Sequence, residues 1–182
     1  MLKRALLPFF LVVQISTCVA EIERIAIPGE RAMQFYWWPK LAPSEGWQQD
    51  REFSFRYSVN ALAPVGKSFS NAETVMYAKA VFKPRVPNVK SLEALIANDR
   101  KEFLAKVPGI IIADAPPLKS ADGLKLISLT YTPTGEGNWE RVSYLEEGEF
   151  YLIFTVSSRS ASGYKNAEKS YESLIGTYRE MP

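Results

Sequence analysis

The sequence predicts an α+β fold, an antiparallel sheet flanked by two helices. Three observations carry this. Runs rich in aromatic and β-branched residues recur at Met33–Trp38, Glu52–Val59, Thr74–Phe82, Leu124–Tyr131 and Glu149–Ser157, and several alternate apolar with polar. Ser91 opens a segment whose Leu92, Leu95, Ile96, Phe103 and Val107 fall at helical spacing. The C-terminal segment aligns Tyr164, Ala167, Tyr171, Leu174, Ile175 and Tyr178 in one apolar stripe.

The elements follow in order. Glu21–Ile27 is a short alternating lead-in stopped by Pro28-Gly29, and the aromatic strand Met33–Trp38 ends at Pro39. Leu41–Asp50 reads as a loop. Phe53, Phe55, Tyr57 and Val59 alternate with Ser54, Arg56 and Ser58, the signature of a half-buried strand over Glu52–Val59. Asn60–Ala72, with Pro64 and Gly66, reads as a loop. Thr74–Phe82 is apolar on both faces except at Lys79, which predicts a central strand. The helix capped by Ser91 stops at Pro108-Gly109. Ile110–Ala113 is a short strand, and Pro116-Pro117 mark a loop. Asp122-Gly123 turns into the strand Leu124–Tyr131. Trp139–Leu145 and Glu149–Ser157 form a hairpin about Glu146-Glu147-Gly148, and a serine-rich joint leads to the terminal helix.

Residues 1–20 read as a secretory signal peptide: Lys3 and Arg4 precede an apolar run, and Cys18 and Ala20 occupy the small-residue positions of the cleavage site. Residues 21–182 then form a single domain, periplasmic or secreted. The run is too short to span a bilayer, which takes about 20 apolar residues. Ile15-Ser16-Thr17-Cys18 leaves an alternative open, in which Cys18 is lipidated and anchors the protein to the envelope. Lys3 and Arg4 account for the whole excess of 22 basic over 20 acidic residues, so the exported chain is neutral. That charge gives no footprint for nucleic acid.

The chain has no histidine, and its one cysteine is Cys18. General acid–base work would fall to carboxylates, lysine or tyrosine, and a metal would need oxygen ligands. Three motif-like stretches fail on inspection. Ala61–Ser68 resembles a phosphate-binding loop, but Ala61 replaces its first glycine and Pro64 removes an amide. Ser162-Gly163-Tyr164-Lys165 matches S-x-x-K without the partner motifs of penicillin-binding enzymes, so Ser162 reads as a helix N-cap. Glu146, Glu147 and Glu149 read as solvated hairpin charges. No catalytic, metal or cofactor site is expected. The binding candidates are Trp37, Trp38 and Trp47: alternation buries one of Trp37 and Trp38 and exposes the other, which beside Trp47 could form a partner surface, or both could cap the core.

Trp38-Pro39, the turn Pro43-Ser44-Glu45-Gly46-Trp47, the entry Asp122-Gly123 and the closing Tyr164-x6-Tyr171-x6-Tyr178-Arg179 together resemble the PsbP-like family over Gln34–Arg179. The loop before Trp47 carries extra residues, and the joint before the last helix is serine-rich where the family's is acidic. The resemblance implies an α/β/α sandwich and an accessory, assembly or binding role, and it supplies no active-site residues to carry over. The expectation is a non-catalytic accessory or interaction protein of the bacterial envelope with an unidentified protein partner. The alternatives are a small-ligand-binding periplasmic module and, third, a carboxylate-dependent envelope hydrolase.

Overall fold

The computed structural model describes residues 22–179, so the expected signal peptide (1–20) and the lipidation candidate Cys18 lie outside the described residues. The chain forms an antiparallel sheet with three helices. Nine strands are described: β1 (Ile22–Pro28), β2 (Met33–Pro39), β3 (Trp47–Gln49), β4 (Asn60–Pro64), β5 (Thr74–Phe82), β6 (Ile111–Lys119), β7 (Lys125–Thr132), β8 (Trp139–Glu147) and β9 (Phe150–Ser158). The helices are α1 (Arg51–Tyr57), α2 (Leu92–Lys106) and α3 (Ala161–Ile175), with a 3-10 turn at Lys83–Arg85. The main path runs β1-β2-β5-β9-β8-β7-β6.

Strand β5 is central, as its two-sided apolar pattern predicts. Along one edge it pairs with β9 over its full length, Thr74 opposite Ser158 through Phe82 opposite Phe150. Its other edge is shared. Met76–Ala78 pair with β4, and Ala80 pairs with Trp37 of β2. The β8–β9 hairpin closes through Gly148 and Glu149, with Gly148 at φ 50°. A two-residue hairpin takes a positive φ there, which glycine adopts without steric cost.

The period-2 geometry of the strands sorts residues onto two faces. On one, Met76, Ala78, Phe154, Val156 and Leu152 pack against Ala167, Tyr171, Leu174 and Ile175 of α3. The Tyr171 hydroxyl reaches Ser143 and the Phe154 carbonyl, each at 2.9 Å. On the other, Leu129, Tyr131, Val142, Tyr144, Tyr151 and Ile153 pack against Leu92, Leu95 and Ile96 of α2. Covering helices on opposite faces are what two amphipathic stripes of this chain require.

Several expectations are corrected. Residues 51–57 are helix α1 and not part of a strand, which raises the helix count from two to three. Asp50 caps it, accepting from the Phe53 amide at 3.0 Å, and Ser58 ends it in the left-handed region at φ 57°. Glu52 and Arg56 pair at 2.7 Å one turn apart, and Phe53 stacks on Tyr57 at 4.6 Å, both helical spacings. The segments 41–50 and 60–72 are not wholly loop: they contribute β3 and β4. Strand β6 runs through Pro116-Pro117, which sit where its register with β7 shifts; an edge strand tolerates the missing amides. The cap of α3 is Ser160, whose Oγ accepts from the Gly163 amide at 2.9 Å, and Ser162 lies inside the first turn. Tyr178 follows the end of α3 and is buried, its hydroxyl donating to Glu147. Glu147 is therefore a buried hairpin charge, while Glu146 and Glu149 are exposed.

Candidate functional site

The three tryptophans do not converge on one surface. Trp38 is 2% exposed, its indole N–H donating to Glu23 at 3.2 Å. Trp37 is half-buried: Phe82 lies 4.8 Å from its ring, Phe150 6.0 Å, and the Arg85 guanidinium sits 4.6 Å over it. Trp47 is half-buried against the α3-side core and lines a different cleft with Pro64, Lys67 and Gly163. The Ala61–Ser68 stretch forms β4 and a surface turn, with Ala61, Leu62 and Ala63 buried.

A larger concavity lies elsewhere, on the α2 side of the sheet. Helix α2 covers this face only in part. Beside it, β5, β8 and β9 present Val75, Tyr77, Lys79, Glu140 and Ser157 as the floor of a trough of about 610 Å3. Helix α1 and the following loops build its wall. Phe53 stacks on Tyr57 and on Phe69 (4.8 Å), and Phe69 meets Tyr77 edge-on at 6.0 Å. Asp50 fixes this wall. Its Oδ1 caps α1, and its Oδ2 accepts from the Phe69 amide at 2.8 Å, so one carboxylate ties α1 to the loop that carries the second ring.

Glu140 is the unusual residue of the floor. It pairs across the hairpin with Ser157 and shares the face of Val142 and Tyr144. It is 9% exposed, and one carboxylate oxygen accepts from the Ser157 hydroxyl at 2.6 Å. The other, Oε2, is sealed from solvent and meets no donor in full hydrogen-bonding geometry, although the Asn138 amide, which donates to Ser157 Oγ at 3.0 Å, lies close enough to act on the carboxyl. Burial pushes the carboxyl above the usual carboxylate range, partly offset by hydrogen bonds from Ser157 and Asn138. Burial, and then the charge of Glu140, push the Tyr77 phenol up as well.

A second, smaller cleft of about 150 Å3 adjoins it and shares Tyr77 and Lys79. Here Asp99 of α2 faces the sheet. Burial raises its pKa, while the charge of Lys79 and a hydrogen bond from Tyr144 lower it. Tyr144 is itself 3.0 Å from Tyr131, hydroxyl to hydroxyl, beneath α2. Glu140 and Asp99 thus both act on Tyr77, and both carboxyls are displaced upward. No group of three or more metal-ligating side chains occurs among the described residues.

Sequence reasoning missed Glu140, Asp99, Phe53 and Phe69. For Glu140 a signal existed: an acidic residue at an inward position of a strand whose next inward positions are Val142 and Tyr144. The acidic cluster at Glu146–Glu149 drew attention to the wrong end of the hairpin.

No protein-family model matches the chain, and no curated protein matches it. Among solved structures it is similar to PA94 of Pseudomonas aeruginosa, a protein of unknown function described as a candidate regulator. Identity is 13%, the match covers 87% of this chain and 98% of that one, and the TM-score is 0.50. The likeness concerns the fold alone.

Proposed function

We propose that this is a non-catalytic accessory protein, exported to the bacterial envelope, with a PsbP-like sandwich fold, and that it acts by binding a partner in the α2-side trough. The observation that carries the reading is the trough itself: about 610 Å3 of open, aromatic-walled space on a sheet face that α2 leaves partly bare. Its size falls in the range of ligand sites, which are mostly apolar with a few placed polar groups. No helix of the described residues is long and apolar enough to cross a membrane.

The test is capture from envelope extracts with the wild-type chain and with Val75→Arg, which fills the floor. One stoichiometric partner, lost with the variant, supports the reading. A partner retained by a folded Val75→Arg protein refutes it.

A further inference from the structure

Resting on that reading of the trough, we infer that the cleft adjoining it at Lys79 and Arg85 is a subsite for an organic carboxylate whose apolar body lies along the trough wall. The two spaces meet. A cleft of about 280 Å3 shares Tyr57, Val59 and Lys79 with the trough. It lies where β5 changes partner: Met76–Ala78 pair with β4, and Ala80 pairs with Trp37 of β2. Ser58, the left-handed end of α1, and Tyr36 of β2 also line it.

The polar side chains of this cleft are of one kind. Lys79 and Arg85 are cations, Tyr36, Tyr57 and Ser58 carry hydroxyls, and no carboxylate lines it among the described residues. None of the five salt bridges of the described residues includes Lys79 or Arg85. Lys79 is half-buried, and no side-chain hydrogen bond among the described residues engages it. Arg85 donates to the Phe35 carbonyl and sits 4.6 Å over the Trp37 ring, which hold the guanidinium in place without neutralising it. The acids nearby border other spaces. Asp99, on which the charge of Lys79 acts, lines the 150 Å3 cleft beside α2. Glu140 of the trough floor is 9% exposed and engaged by Ser157. A cationic ligand head would meet two like charges, and a neutral one would leave both without a countercharge. A cleft lined by one sign of charge concentrates ligands of the other, and an ammonium and a guanidinium give a carboxylate charge-assisted hydrogen bonds, the strong class. The stacked rings of Phe53, Tyr57 and Phe69 supply the area that packs an apolar body.

The experiment titrates the purified chain at neutral pH with hexanoate and, as its neutral isostere, hexanamide, following the rings of Tyr36 and Tyr57 by NMR. A third arm uses a short peptide ending in leucine, with its C-terminal carboxylate free or amidated. The expected result is a preference for hexanoate over hexanamide of about tenfold or more, abolished in a folded Lys79→Met protein and kept in Lys79→Arg. Tighter binding of the peptide with the free carboxylate assigns the subsite to a polypeptide terminus. Exclusion of the peptide with retained hexanoate binding assigns it to a free acid. Equal binding of acid and amide, binding of neither, or a preference that survives Lys79→Met overturns the carboxylate inference. The trough reading stands or falls separately, on capture with Val75→Arg: a partner lost with Val75→Arg but kept by Lys79→Met overturns the carboxylate alone.

Discussion

Replacing Glu140 by glutamine should stabilise the free protein at pH 8. The charged carboxylate is 9% exposed and one oxygen meets no donor in full hydrogen-bonding geometry. Leaving a buried polar group unsatisfied costs about 1–3 kcal/mol, more when it is charged. The substitution removes the charge and keeps an acceptor for the Ser157 hydroxyl, which now approaches at 2.6 Å, and it puts a neutral NH2 group at the buried Oε2 position, whose desolvation costs less than that of the charge. That bond weakens, because charge-assisted hydrogen bonds are about twice as strong as neutral ones, and the loss offsets roughly 1 kcal/mol of the gain. The net expectation is about 1 kcal/mol of stabilisation, a rise in Tm of about 2–4 °C for a domain of this size. The pH dependence follows from the direction of the shift. Burial raises the folded-state pKa of Glu140 above its ordinary value of 4.5, so between those two pKa values the native state binds more protons than the unfolded chain. Stability contributed by this group is therefore present at low pH and is lost as pH rises from about 4.5 through the folded value. The advantage of Glu140→Gln should therefore grow as pH rises above about 4.5 and shrink as pH falls toward 4. Asp99 is displaced in the same direction, but it is common to both proteins and cancels in the difference. Thermal unfolding of both proteins at pH 4 and pH 8 is the assay. A glutamine variant equal to or less stable than wild type at pH 8 would refute the reasoning, since Glu140 would then be a satisfied structural charge.

Three further outcomes concern the scaffold. Leu174→Ala, at a side chain 1% exposed against the sheet, should cost about 2–5 kcal/mol in denaturant unfolding; a negligible change would mean that α3 contributes little. Ser160→Ala should cost about 1 kcal/mol through loss of the cap to the Gly163 amide, while Ser162→Ala should stay within about 0.5 kcal/mol; the reverse order would place the cap at Ser162. Gly163→Ala would put a methyl 2.5 Å from Ser158 Oγ and 2.7 Å from Thr74 Oγ1, two hydroxyls that hold each other at 2.8 Å. Such overpacking costs about 1–3 kcal/mol, and unchanged stability would show that this joint yields.

Much of the fold is legible in residue order. Strand β5, the β8–β9 hairpin and both long helices fall where periodicity and the signals Ser91, Pro108 and Gly148 put them. The misreading of residues 51–57 is instructive. Phe53, Phe55 and Tyr57 satisfy a period of two, while Phe53/Tyr57 and Glu52/Arg56 satisfy a helical spacing, and seven residues are too few for either period to win. The helix signal was Asp50, an N-cap followed by Glu52 in the first turn. The trough was not legible. Its wall brings Phe53 and Phe69 together from opposite sides of β4, and its floor is shared by three strands.

By itself, the sequence determined the α+β class, the central place of β5, the two long helices and the absence of histidine. These follow from local periodicity and composition, which each segment carries alone. Tertiary structure decided that α1 is a helix, that Trp38 is buried while Trp37 sits under Arg85, and that Glu140 faces a trough. Those depend on which segments claim the two edges of β5 and how far α2 extends over the sheet. Such competition for pairing edges and for covered surface is settled only when distant segments meet.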